Sequence, residues 1–192
     1  MKSILIVSAL FMQTLAQADD KALQADKQPF LQGYAEQVYQ RYNTSLAEAK
    51  KVDAAIQAFA AAPSQTLLDA AKAQWIESRK AYSVTEVYRF FDGPIDGENG
   101  PEGLINSWSM DEAYVDYVTD PATKQVYVGG IINDTVHFPV INAQVLTDAN
   151  GKDMNGDEAE ENVATGWHAI EFILWGQDLP SYAADGVTLL DT

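Results

Sequence analysis

Phe59-Ala60-Ala61-Ala62-Pro63-Ser64-Gln65-Thr66-Leu67-Leu68-Asp69 is the stretch that decides the fold. Upstream of it, from Pro29 to about Ala62, strong helix formers dominate, and Tyr34, Val38, Tyr42, Leu46, Val52, Ile56 and Phe59 recur at mostly helical intervals. Pro63 ends that helix, because it lacks an amide hydrogen and its ring clashes with the preceding turn. Ser64 is placed to cap a second helix running from about Gln65 to Phe91 without a proline or glycine. Two long helices joined by so short a turn form an antiparallel hairpin, the beginning of an all-α helical bundle.

Beyond the hairpin the character changes. Residues 92–103 carry four glycines and two prolines, which forbid continued helix. A short helix is expected around Met110 to Val118 and another near Ile141 to Leu146, with an irregular stretch between them. The last clear element is expected to start after Asp157, with Glu160 completing a capping box, and to end at Gly176.

At the other end, Lys2 precedes a mostly apolar run from Ile4 to Leu15, followed by Ala16-Gln17-Ala18 and the acidic pair Asp19-Asp20. This reads as a cleaved secretory signal over residues 1–18, leaving residues 19–192 as one domain in the periplasm or cell envelope. No stretch approaches the roughly 20 apolar residues of a membrane span. There is no cysteine, which excludes thiol enzymes, zinc ribbons and a lipid-bearing N-terminal cysteine. The net charge of −16 repels nucleic acid and anionic lipid, and attracts cations.

The chemistry is concentrated in the last helix. Between Thr165 and Trp175 the only ionisable groups are His168 and Glu171, set three apart among Trp167, Ile170, Phe172 and Leu174. A helix apolar almost all round is a buried helix, and a buried carboxylate needs a proton, a hydrogen bond, an ion pair or a cation. Gly166 signals close approach of another segment or a ligand. On the second helix Arg79, Tyr82, Glu86 and Phe90 share a stripe, with Arg89 at its edge. Two readings stay open there: Glu86 pairs with Arg89 and accepts from Tyr82 in a closed network, or it reaches across to His168 and Glu171 while an arginine orients the acids. From the 92–103 loop, Asp92 and Asp96 lie nearest the helix end and are candidates to complete a site for a hard cation.

Stronger signatures are missing. There is no H-E-x-x-H, and the second histidine, His137, sits two residues before Pro139, which argues against a second E-x-x-H-type helix. Residues 148–162 look calcium-like, but Gly151-x-Asp153-x-Asn155-Gly156 lacks the acidic first position and ends on Asn162, so the stretch is read as a capped turn.

Gly166-Trp167-His168-Ala169-Ile170-Glu171 resembles the G-x-H-x-x-E signature of the imelysin family, also called M75 peptidase-like or iron-regulated protein A type. The continuation to Asp178 is similar to that family too, as are residues 86–96, 100–103, 111–114 and 130–134, and the likeness runs from about Tyr34 to Asp178. The resemblance implies an all-helical fold of two bundle-like halves, an exported cell-envelope protein and a link to iron uptake. Family members are typically about twice as long, with the presumed site between the halves. This chain is therefore expected to correspond to the first half, with a partner as one source of the second.

Three functions follow. The first is a metal-binding protein of iron acquisition, with His168, Glu171, Glu86, Asp92 and Asp96 as candidate ligands and Arg89, Arg79, Tyr82 and Gly166 around them. One nitrogen with several oxygens suits iron or another divalent ion, with zinc the alternative, and an envelope iron-uptake component would be the partner. The second is an M75-like metal-dependent peptidase. The third is a metal-free helical interaction module.

Overall fold

The structure, a computed structural model, describes residues 2–177, with side chains from residue 27 onward. Helix α1 spans Lys2–Ala61 and α2 spans Gln65–Ser83. Between them Ser64, with extended backbone, accepts a hydrogen bond from the Leu67 amide at 3.3 Å, which satisfies one of the unpaired donors of the first turn of α2. The two helices run antiparallel: Gln74 bonds Glu48 and Tyr88 packs edge-on against Tyr34. Contrary to the sequence reading, α1 does not begin at Pro29 but contains it. Residues 16–28 are mostly alanine, glutamine, aspartate and lysine, which carry the helix through despite the lost amide donor.

α2 also ends earlier than its periodicity suggests. The Thr85 amide and hydroxyl both turn back to the Tyr82 carbonyl, at 2.8 and 2.7 Å, taking an acceptor that continued helix would need. A 3₁₀ turn follows at Glu86–Tyr88, and Phe90 and Asp92 then adopt left-handed backbone angles. Glu86, Arg89 and Phe90 therefore do not share a helical stripe with Arg79 and Tyr82.

The remaining elements are short. Helix α3 covers Glu102–Ile105 and α4 covers Glu112–Val115; α5 covers Ala143–Ala149 and α6 covers Gly166–Trp175. The helix expected around 110–118 is present as α4, shorter at both ends, and one small antiparallel hairpin, β1 (Val118–Thr119) with β2 (Val126–Tyr127), follows it. Asp120 accepts from the Ala122 and Thr123 amides and fixes its turn.

The expected start of the last helix at Asp157 is replaced by a loop. The Asp153 carboxylate takes the Asn155 and Asp157 amides at 2.7 and 2.9 Å, so the capped-turn reading holds and Asp157 caps no helix. The Asn150 side chain gathers the Ala164 and Thr165 amides, leaving Gly166 to open α6.

The principal core lies between α1, α2 and α6, where Val52, Ala71, Trp75, Tyr82, Trp167 and Leu174 are buried together. Trp75 meets Trp167 and Trp175 edge-on and donates its indole N–H to the Trp167 carbonyl at 3.1 Å. A smaller cluster of Tyr114, Ile131, Ala149 and Ala164 holds the loop-rich segment together. Among the described residues no helix is long and apolar enough to cross a membrane. The segment expected to be an export signal lies where side chains are outside the described set, as does the family-like continuation at Asp178.

Candidate metal centre

Helix α6 presents its ionisable pair at one edge of the core. Its position is set by Gly166, whose φ of +84° suits glycine and whose added Cβ would lie 2.3 Å from the Ile105 carbonyl oxygen. The close approach expected at this glycine is thus the backbone of α3, locked by a 2.8 Å bond from the Thr165 hydroxyl to Leu104. One turn along, the His168 imidazole lies under Trp108, ring centroids 4.8 Å apart. Its Nδ1 is 3.3 Å from Glu171 Oε2.

The two members differ in exposure. The His168 side chain is 15% exposed, whereas that of Glu171 is 45% exposed. The expectation that both are buried gives way to two half-buried groups, the imidazole the more covered of the two. α6 is apolar almost all round, yet Ile173 and Trp175 are also exposed, so one of its faces is left uncovered by the described residues.

The other charged residues form a separate network. Arg79 pairs with Glu86 at 3.1 Å, and Arg89 bridges Glu86 to Glu102. Tyr82 donates to Glu102 at 2.7 Å rather than to Glu86. Burial first, and the Glu102 carboxylate second, push the Tyr82 phenol far above its ordinary range. Of the two readings left open for Glu86, the geometry matches the pairing with Arg89, while the bond expected from Tyr82 goes to Glu102 instead.

The loop acids have other work. Asp96 accepts the Phe91 and Gly93 amides, both at 3.0 Å, and closes its own turn. Burial acts to raise its carboxyl, but these backbone bonds prevail and hold it below the usual range. Asp92 is exposed at a φ of +55°. Of the five candidate ligands, the structure brings only His168 and Glu171 into contact. Among the described residues no three histidines, cysteines or acids converge on a possible ion.

Glu102 is the loop acid that matters most to the network, and sequence reasoning set it no higher than its neighbours. A signal was present: two arginines, Arg79 and Arg89, flank a single acid, and a second carboxylate is needed to balance them.

The donor chemistry can be tested against a metal. Two ligand atoms each about 2.1 Å from one ion lie roughly 3.0–3.4 Å apart, and the Nδ1–Oε2 separation of 3.3 Å falls in that interval. The pair thus fits one edge of a coordination shell. It does not fit a closed structural site, which needs about four protein donors.

A sequence profile described as imelysin, peptidase M75, matches residues 38–190. No curated protein matches the sequence.

Proposed function

The chain belongs to the imelysin family, and from that premise we propose that it is an exported cell-envelope protein that binds a divalent metal ion through His168 and Glu171 in the service of iron uptake. The observation carrying this reading is the pair itself: an imidazole nitrogen and a carboxylate oxygen 3.3 Å apart, opening to solvent on one side. One nitrogen and one oxygen donor suit iron(II) or manganese(II), with zinc(II) next. Water, or donors from beyond the described residues, would complete the shell. Trp108 covers the ring and Gly166 fixes the start of the helix, so the chain's own contribution is to hold two donors in place.

Peptide hydrolysis finds less support. A water-activating zinc site wants three protein ligands and an open position, and the described residues offer two donors. The metal-free alternative has one observation in its favour: Arg79, Glu86, Arg89, Glu102 and Tyr82 pair with one another and hold two acids away from His168.

Thermal melting in increasing iron(II), manganese(II) or zinc(II) separates these readings. At a hundredfold excess over the dissociation constant, binding stabilises by about 2.7 kcal/mol. The wild type should show a rise in Tm that His168→Ala abolishes. A rise that survives in His168→Ala removes the assignment, and no rise in the wild type supports the metal-free module.

A further inference from the structure

On the side of the hairpin formed by residues 30–42 of α1 and the 88–96 segment lies a cavity of about 580 Å³. Its wall includes five aromatic residues: Phe30, Tyr34 and Tyr42 from α1, and Tyr88 and Phe91 from the segment that follows α2. Tyr34 and Tyr88 form a corner, their centroids 5.6 Å apart and their planes at 81°. The single charged residue of the lining is Asp96.

We propose that this aromatic corner, together with the Asp96 carboxylate, binds an organic ammonium ion of the trimethylalkylammonium class. Three observations carry this choice of ligand. Aromatic faces present negative charge and attract cations, most strongly where water is excluded. Asp96 has backbone amides as its hydrogen-bond donors and no basic ion-pair partner among the described residues, so it brings a net negative charge to a largely apolar cavity. No lysine or arginine lines the cavity, and the chain as a whole carries −16, so the field favours a cation over a neutral apolar guest. The Tyr42 phenol in the same lining is raised by burial first, and then by the carboxylates of Glu102 and Asp96.

The site's construction is local. Asp96 draws the Phe91 and Gly93 amides together, and the positive φ of Phe90 and Asp92 reverses the chain so that Phe91 returns toward α1. Left-handed backbone at a bulky aromatic residue is disfavoured, and such strain gathers where a loop must present a side chain.

The test is calorimetric titration of the full chain with choline and, separately, with 3,3-dimethylbutan-1-ol, which has the same shape and no charge. Choline should bind about threefold more tightly than the alcohol, the factor expected from one exposed cation–π contact. Tyr34→Leu, which alters a half-exposed helix position, should weaken choline binding by about the same factor. Asp96→Asn should weaken it further, but its loop bonds make Tyr34→Leu the cleaner variant. Co-sedimentation with phosphatidylcholine vesicles, against phosphatidylglycerol vesicles, distinguishes a lipid headgroup from a free solute as the source of the ammonium group. Binding of choline, or selective capture by phosphatidylcholine that Tyr34→Leu abolishes, upholds the site. Equal affinity for the alcohol, or binding of neither choline nor phosphatidylcholine, overturns it.

Discussion

Gly166 is held so closely against α3 that its role is steric before it is anything else. An added methyl would meet the Ile105 carbonyl oxygen at 2.3 Å and the Leu104 carbonyl oxygen at 2.8 Å, on a backbone already at φ +84°. Gly166→Ala should therefore destabilise the fold by about 2–4 kcal/mol, read as a lower urea midpoint. An unchanged midpoint would show that α6 does not seat on α3 as described. The two acids nearest in character behave oppositely. Glu171→Gln should change stability by less than about 0.5 kcal/mol, because its carboxylate is nearly half exposed and such pairs contribute little. Glu102→Gln should cost on the order of 2 kcal/mol, since it leaves Arg89 poorly paired in a partly buried setting. Tyr82 adds a pH dependence whose sign is fixed. Its folded pKa is raised, so its contribution is fully present below the ordinary phenol value of about 10 and is lost as pH rises beyond it. Urea midpoints should fall between about pH 10 and 11, and more gently in Tyr82→Phe.

Helix ends, more than helix faces, decided what the sequence could reveal. Ser64→Ala removes the cap of α2 and should cost about 1 kcal/mol in the same unfolding measurement. That cap and the Pro63 stop were legible because both act within four residues. The end of α2 was not, because apolar spacing continues past Ser83 while the Thr85 hydroxyl quietly takes the Tyr82 carbonyl. A similar competition hid the start of α6, where Asp153 captured amides that would otherwise have been offered to a helix beginning at Asp157. The β1–β2 hairpin was missed because two-residue strands leave no period to read. At the site, His168 and Glu171 were legible as neighbours from their spacing on one helix. Their unequal exposure was not, since it depends on what other segments leave uncovered. The tie of Arg89 to Glu102 spans 13 positions and two turns, and no local pattern encodes it.

At the scale of the whole molecule, a family profile covers residues 38–190, and a charge of −16 favours cations over anions near the surface. The negative field should make metal binding weaken as salt is raised from 10 mM to 1 M, where screening shortens from about 30 to 3 Å. The most direct measurement is elemental analysis of the chain purified from its native compartment, with His168→Ala purified in parallel. The account predicts a near-stoichiometric divalent metal, iron foremost, in the wild type and its loss in the variant. Equal metal content in the two proteins, or none in either, would contradict it.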